Sequence, residues 1–376
     1  MRVLFTASTA SHIRSFHLPY LRAFQEAGWT VVVACGGDPS VLEQADEVLA
    51  LPFEKKMTAP ANLQAQRMLR RFLKENPCDL ICTHTSLAAF FTRRAVAGMK
   101  RRPPVVNVAH GYLFDDETPA LKRQILLWAE RLTAGQTDLL LTMNAYDQEA
   151  ARRYRLGRRV EFIPGIGVDF TRLDRLGQVD RAQVRRELGF GEKDVVLVYA
   201  AEFSHRKSQT VLIRALTKLP AQVKLLLPGQ GELWDACRDL ALSLGVEDRV
   251  VFPGQVRDMV SMYAAADGAV SASRSEGLPF NVMEAMYAGL PVVASAVKGH
   301  TDLVVPEKTG LLYPYGSEDG FAAAVKRLLE QPELARSWGE TARRAVEPYR
   351  LERVLPLVME EYCSVLPVRT EEKTAV

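Results

Sequence analysis

The sequence predicts an α/β protein built as two Rossmann-like parallel-sheet lobes facing a cleft, and three observations predict it. Short runs rich in Val, Ile and Leu alternate with longer amphipathic segments along the chain, as parallel strands alternate with crossover helices. The alternation comes as two consecutive series of similar length, separated at Ile163-Pro164-Gly165-Ile166-Gly167-Val168-Asp169. At 376 residues the chain exceeds the usual limit of one core, roughly 250–300 residues.

In the first series Val3–Ala7, Val31–Ala34, Leu80–Thr83, Val105–Ala109, Leu139–Met143 and Val160–Ile163 read as strands. Helices fit between them at Phe16–Ala27, Asn62–Lys74, Leu87–Gly98, Pro119–Ala134 and Tyr146–Tyr154. The second series has strands at Val195–Ala200, Val223–Leu227, Val250–Phe252, Gly268–Ser271, Val292–Ala294 and Gly310–Tyr313. Ser208–Thr217, Gly231–Leu244, Met259–Ala265, Phe280–Ala288 and Asp319–Glu330 supply its helices. A last helix near Glu352–Leu366 carries Val354, Leu355, Val358, Met359, Tyr362 and Val365 at helical spacing, and Thr370–Val376 reads as a frayed end. The expected domains are therefore residues 1–166, 167–347 and a terminal helix within 348–376.

Composition excludes several classes. A hydrophobic share of 48% and a charged share of 25% are those of a soluble globular protein. Met1-Arg2-Val3-Leu4-Phe5-Thr6 reads as a buried first strand rather than a signal peptide. No apolar run approaches the ~20 residues that span a bilayer. Five scattered cysteines fit a reducing cytoplasm; Cys78 and Cys82 lie close, but no second Cys/His pair follows at zinc-finger spacing, so no metal is expected. Residues 1–166 carry 22 basic and 16 acidic side chains, the remainder 26 and 29. The basic excess clusters at Arg67/Arg70/Arg71/Lys74, Arg93-Arg94, Lys100-Arg101-Arg102 and Arg152-Arg153/Arg155/Arg158-Arg159. Solvated helix faces explain such clusters, and so does attraction to anionic lipid headgroups or a pyrophosphate-linked acceptor. Nucleic acid fits poorly, because no aromatic platform accompanies the charge.

The most informative stretch is Ser275-Glu276-Gly277-Leu278-Pro279-Phe280-Asn281-Val282-Met283-Glu284-Ala285-Met286. Pro279 fixes its own φ and keeps Leu278 extended, so loop precedes it and helix follows. Glu276 falls in the loop and Glu284 about two turns into the helix. Amides around Phe280 to Met283 form a helix N-terminus suited to an anion. Two carboxylates flanking an anion site suit a sugar nucleotide: one for sugar hydroxyls, one for the ribose diol, amides for the diphosphate.

This block, with Glu-Ala-Met-Tyr-Ala-Gly-Leu-Pro-Val-Val-Ala-Ser after Glu284, resembles the signature of retaining glycosyltransferase family 4. The resemblance continues through Gly299-His300-Thr301-Asp302-Leu303-Val304 and Lys308-Thr309-Gly310-Leu311-Leu312-Tyr313-Pro314. It implies the GT-B fold, with the last helix returning to the first lobe. It implies Glu276 as the group orienting the donor sugar and Glu284 as the ribose ligand. Gly277, Leu278, Pro279, Phe280 and Asn281 then form the donor-binding loop. Lys207, five residues beyond Glu202, matches the family's phosphate-binding Lys, with Arg206 beside it. Glu202 stands where an Arg is usual, as in a subgroup that assembles cell-surface polysaccharides. His110-Gly111 matches a His-Gly facing the donor sugar and phosphate, and Val256 the segment whose backbone meets the base.

Other segments are less specific. The loop Ala7–His17 contains no glycine, which argues against a dinucleotide oxidoreductase and departs from the family's Gly-Gly. Ser11, His12 and Arg14 are expected on the acceptor side, while His17 either caps or packs. Tyr112 and Phe114 sit near an acceptor position without an assigned role. Pro228-Gly229-Gln230-Gly231 reads as a turn below the nucleotide or a purely structural one. In Pro119–Ala134, Leu121, Ile125, Trp128, Ala129 and Leu132 form one stripe with Lys122, Arg123 and Arg131 nearby, expected to pack on the core rather than meet a membrane.

The expected function is retaining transfer of a hexosyl or acetamidohexosyl unit from a UDP-sugar, the resemblance favouring front-face substitution. The expected acceptor is a polyprenyl-diphosphate glycan of a capsule or exopolysaccharide, reached from the cytoplasm with peripheral contact at an anionic membrane. Neither a cofactor nor a divalent metal is implied, since no Asp-x-Asp appears among the motifs. A GT-B nucleotide-sugar 2-epimerase and a catalytically silent sugar-nucleotide-binding subunit are the alternatives.

Overall fold

Strands β1 (Arg2–Ala7) and β2 (Thr30–Cys35) are buried along Val3–Ala7 and Val31–Cys35, so both faces of their sheet are covered. Continuous apolar strands of this kind belong in parallel sheets flanked by helices. The computed structural model describes residues 1–38, 40 and 42–367; the expected frayed end at Thr370–Val376 lies outside them.

The first compact unit comprises residues 1–166 and the chain from Arg353 onward. After β1 come α1 (Ala10–Phe16), α2 (Leu18–Glu26), β2, β3 (Glu47–Ala50), α3 (Pro60–Glu75), β4 (Leu80–Thr83) and α4 (Ser86–Val96). Then follow β5 (Val105–Ala109), α5 (Ala120–Ala134), β6 (Leu139–Thr142), α6 (Ala145–Tyr154) and β7 (Arg159–Phe162). The seven strands are parallel in the order β3-β2-β1-β4-β5-β6-β7. The order reverses direction at β1, between β2 and β4.

The second unit, Gly167–Glu352, begins with a 3₁₀ segment (Thr171–Gln178) and α7 (Arg181–Glu187). It continues through β8 (Val195–Val198), α8 (Gln209–Ala215), β9 (Val223–Leu226), α9 (Trp234–Ser243), β10 (Val250–Val251) and α10 (Met259–Ala265). It closes with β11 (Gly268–Ser271), α11 (Phe280–Tyr287), β12 (Val292–Ser295), α12 (His300–Leu303), β13 (Gly310–Tyr313), α13 (Glu318–Glu330) and α14 (Pro332–Ala345). Its parallel order is β10-β9-β8-β11-β12-β13. Helix α15 (Leu351–Cys363) belongs from Arg353 onward to the first unit.

Several elements differ from expectation. The segment after β1 is a helix, not a loop: Thr9 is extended, and its hydroxyl accepts the His12 N–H at 3.3 Å. A Thr N-cap before a glycine-free run favours that outcome. Strand β3, absent from the expected set, is a four-residue edge strand, Glu-Val-Leu-Ala, nowhere fully buried. Helix α14 turns small residues inward at Ala335, Gly339 and Ala342 around buried Trp338. Tyr112 and Phe114 are core residues, stacked with centroids 4.9 Å apart.

The basic clusters are partly structural. Arg93 is fully buried and donates to Glu130 at 2.8 Å. Arg102 donates to Asp138 at 2.8 Å, and Arg70 to the carbonyls of Ala95 and Ala97. These three are held inside the unit and do not form a solvated face. The α5 stripe deviates the other way. Leu121, Ile125, Trp128 and Leu132 are 76, 59, 63 and 41% exposed, whereas Leu127 and Thr133 face inward. Periodicity identifies a stripe; it does not say which side of the helix meets the core.

Helix α15 buries Val354, Val358 and Tyr362, four residues apart on one face. Tyr362 packs against Phe5, Tyr20 and Phe24 at centroid distances of 6.1, 5.9 and 6.1 Å. Its buried hydroxyl has no hydrogen-bond partner among the described residues. Tyr362→Ala should therefore destabilise the first unit by about 3–5 kcal/mol, while Tyr362→Phe should not, because no bond is lost. Urea unfolding of the three proteins checks this; equal losses for both substitutions would contradict the packing.

Candidate active site

In each unit the sheet order reverses at one strand, and ligands of such sheets bind outside the carboxyl ends there. In the second unit that strand is β8, paired in parallel with β11 at Gly268↔Leu197 and Ala269↔Val198. The loops following the two strands therefore emerge side by side. They are stitched together: Arg274 N–H donates to Arg206 O at 2.8 Å, and Tyr199 Oη bonds Ser273 Oγ (2.7 Å) and Lys207 O (3.1 Å). Ser295, at the end of β12, donates to Ser273 O at 2.6 Å.

This framework brings together residues 69 and 70 positions apart. Glu276, 7% exposed, accepts from Lys207 Nζ and from Arg206 Nη1, the latter at 3.0 Å. Burial alone would raise the Glu276 carboxyl. The Lys207 ammonium, then Arg206, then His300 outweigh it and hold the group at about 2. Burial lowers the Lys207 ammonium, with the Glu276 charge opposing that effect. The result is a buried carboxylate between two cations, one of which, Arg206, remains exposed. Glu202, the departure from the usual Arg, is exposed, and its carbonyl accepts from Gln209.

Sequence reasoning quoted His300 only as part of a motif. It is fully buried, with Nδ1 2.8 Å from Ser295 O, and its Nε2 has no partner among the described residues. Gly299, just before it, lets the β12–α12 turn pack on the Glu276-Gly277 backbone. A Cβ on Gly299 (φ +80°) would lie 2.8 Å from Gly277 O and 2.9 Å from Glu276 Cβ.

Helix α11 begins as expected after Pro279. Met283 N–H already bonds Pro279 O at 3.2 Å, so the N-terminal amides are fewer than expected and end at Val282. Glu284 lies just over one turn into the helix, not two. It accepts from Tyr263 Oη at 2.9 Å, and burial raises its carboxyl against that bond and Arg172. Glu284 lines a cavity of about 450 Å³ with Asp169, Arg172, Arg175, Arg257 and Asp258. Those arginines were not singled out from sequence, because they come from the 3₁₀ segment and the β10–α10 loop. Val256, half-buried, precedes Arg257 in that loop. The neighbouring Gly229–Gly231 turn is tied to it by Gly229 N–H→Gly254 O at 2.8 Å. Gly231 (φ +157°) is required there, since a Cβ would sit 2.3 Å from Phe203 O.

The first unit places His110 after β5, but not alone. His84, unnoticed in the sequence, follows β4, and its Nδ1 lies 3.1 Å from His110 Nε2. His17 is fully buried at the α1–α2 junction, where its side chain makes no cap bond, and its Nε2 lies 3.3 Å from His12 Nε2. Burial holds His12 at about 4, and burial with mutual repulsion holds His17, His84 and His110 well below the usual imidazole range. Ser11 and Arg14 are exposed on α1, and Ser11 Oγ lies 3.0 Å from Thr9 Oγ1.

Glu276, held by Lys207 and Arg206, therefore stands at a sheet switch point. Residues 180–345 match the family described as Glycosyl transferases group 1, and residues 20–172 match Glycosyltransferase Family 4. Bacillus subtilis (strain 168) has a relative, provisionally named glycosyltransferase EpsD, that is 31% identical over 379 residues, covering 99% of both chains. The chain therefore belongs to the family 4 glycosyltransferases. Its fold is GT-B: HepE of Anabaena, solved with UDP, matches at a TM-score of 0.77 and 21% identity, over 97% of this chain and 100% of that one. Sucrose-phosphate synthase from Thermosynechococcus elongatus matches at 0.79 and 21% identity, over 97 and 98%.

The Glu276 cluster makes stability depend on pH in a defined direction. A carboxyl held at about 2 against an ordinary 4.5 stabilises the fold above pH 4.5 and loses that contribution as pH falls towards 2. Glu276→Gln should cost about 3–5 kcal/mol near neutrality, since it strands Lys207. The gap from wild type should narrow as pH is lowered through that window. Urea midpoints of both proteins at pH 7 and at pH 3.5 test it; a constant gap would show that the carboxylate is not held by the cations.

Proposed function

We propose that this glycosyltransferase moves a hexosyl or acetamidohexosyl unit from a UDP-sugar, with retention of configuration, to a polyprenyl-diphosphate-linked glycan in surface-polysaccharide biosynthesis. The observation carrying the donor half is the Lys207–Glu276–Arg206 cluster beside the start of α11. Both cations stand at one carboxyl edge with the amides of Asn281 and Val282, and a diphosphate there meets three sources of positive potential. Developing charge on the leaving oxygen is stabilised most by groups already in place. Lys207 is anchored by Glu276 and by its own carbonyl to Tyr199. Glu276, relieved of part of its pairing when the diphosphate arrives, orients the sugar hydroxyls. Glu284 holds the ribose from the wall of the arginine-lined cavity. Val256 and the loop of Gly277 to Phe280 flank the nucleotide, and His110 supports the sugar-phosphate side. HepE has also been solved with UDP-glucose, which supports a uridine donor.

Retention follows from front-face substitution, in which the departing diphosphate takes the acceptor proton. Incubation with UDP-sugars and extracted lipid-linked acceptor, with NMR of the product anomer, tests the reading; an inverted product would overturn the stereochemistry. Glu284→Ala should weaken UDP binding by about 1.5–3 kcal/mol, the worth of a charge-assisted hydrogen bond. Lys207→Ala should lower kcat beyond any loss of donor affinity, since its cation acts chiefly in the transition state. Calorimetry with UDP and turnover on the same preparations separate the two roles, and unchanged UDP affinity in Glu284→Ala would remove the ribose assignment.

The acceptor half is supported by α5. Its four exposed apolar side chains, with Lys122, Arg123 and Arg131 on the same helix, make a face for an anionic membrane surface. No helix among the described residues is long and apolar enough to cross a membrane. Replacing Leu121, Ile125 and Trp128 together by Ser should abolish co-sedimentation with anionic vesicles while UDP affinity is retained. Vesicle binding that survives this change would shift the contact to the Lys100-Arg101 surface.

A further inference from the structure

Unit one contains a histidine cluster of which the donor reading uses His110 alone. His12, His17 and His110 each offer a ring nitrogen, and the three nitrogens lie within 4.8 Å of one another. Their ring centroids form a nearly equilateral triangle, with sides of 5.2, 5.0 and 5.3 Å. Nothing in ordinary packing requires that shape. An ion bound at tetrahedral angles with metal–nitrogen bonds of about 2.0–2.1 Å spaces the nitrogens at roughly 3.3 Å and the ring centres at roughly 5 Å. The His12–His17 pair is already at 3.3 Å. The other separations lie within 4.8 Å.

The alternative is a neutral hydrogen-bonded stack, and its accounting is poor. A neutral imidazole has one donor and one acceptor. Only two nitrogen pairs in the four-ring group approach hydrogen-bond distance, His84–His110 and His12–His17, the second of them long. Nδ1 of His17 and Nε2 of His84 are buried without a partner among the described residues. Each buried unsatisfied nitrogen is costly. A cation would instead take up the facing Nε2 lone pairs of His12 and His17, which no proton can satisfy on both rings at once.

We propose that His12, His17 and His110 form a binding site for a divalent transition metal of the zinc class, with His84 packed against them to hold the His110 ring. Three neutral imidazoles are a donor set for zinc, cobalt, nickel or copper rather than magnesium or calcium. His17 is buried, while His12 and His110 are partly exposed, which leaves a route from solvent. The ion would clamp α1 and the α1–α2 junction to the end of β5. The sequence concealed the site because its ligands, at positions 12, 17 and 110, form no short ligand motif. The inference rests on first-unit geometry and not on the donor reading, whose residues, apart from His110, lie in the second unit.

The test is titration of the full-length, chelator-treated protein with Co²⁺. One equivalent should bind with visible absorption of tetrahedral intensity, without a thiolate charge-transfer band, and Zn²⁺ should displace it. His12→Gln, chosen because His12 is only partly buried, should lower the apparent affinity at least tenfold. Zinc should raise the melting temperature of wild type and not of His12→Gln. Cys363→Ser, at an exposed free thiol, should leave the spectrum unchanged. Absence of the tetrahedral spectrum, or equal binding by His12→Gln, overturns the proposal. UDP calorimetry on the same samples reports separately on the donor site.

Discussion

Parallel pairing is the constraint on which everything else depends. A parallel sheet sends every strand's carboxyl end to the same edge and returns the chain through a helix on a face. Residues after consecutive or distant strands are thereby collected without any need for proximity in sequence. In the second unit this edge receives Lys207 after β8, Glu276 after β11 and His300 after β12. In the first it receives His12 after β1, His84 after β4 and His110 after β5. Both of these clusters stand at such an edge, next to the strand where the order reverses.

The two edges are furnished differently, and the difference is electrostatic. The second unit accepts the cost of burying a carboxylate and an ammonium, which mutual attraction and a second cation offset. In such a cluster Glu276 holds two cations in place, one of them exposed. The first unit buries imidazoles that stay neutral, since each additional charge would repel its neighbours. One edge presents fixed positive charge; the other presents lone pairs. Tyr199 holds the Lys207 loop by a hydroxyl bonded to Lys207 O, while Tyr263 and Tyr313 bond Glu284 on α11 and Ser271 O on β11.

Away from the edges, the arginine-rich character of the first unit divides into two kinds. Arg93 and Arg102 are internal ties, with carboxylate partners at Glu130 and Asp138. Lys100, Arg101 and Arg94 are exposed. The exposed apolar face of α5 differs from both, because four large apolar side chains on one helix exceed the scattered apolar residues of an ordinary surface.

Much of this was legible in the sequence, for a local physical reason. Strand and helix periods, Pro279 before α11, and the Gly-rich turns act within a few residues, so the α/β series and the family block could be read directly. Of the expected donor residues, Lys207, Arg206 and Glu276 do meet, and Glu284 faces a cavity. The rest required tertiary structure. A helix N-cap at Thr9 outcompeted the expected loop, and the edge strand β3 is only four residues long. The stripe of α5 was visible, yet its outward direction was not, because periodicity is indifferent to which side finds a core. The partnership of His12, His17, His84 and His110 arises only when β1, β4 and β5 pair, which places at one edge rings that the sequence separates by up to 98 positions. Sequence determined the elements and their chemistry; pairing of distant strands decided which side chains share a site.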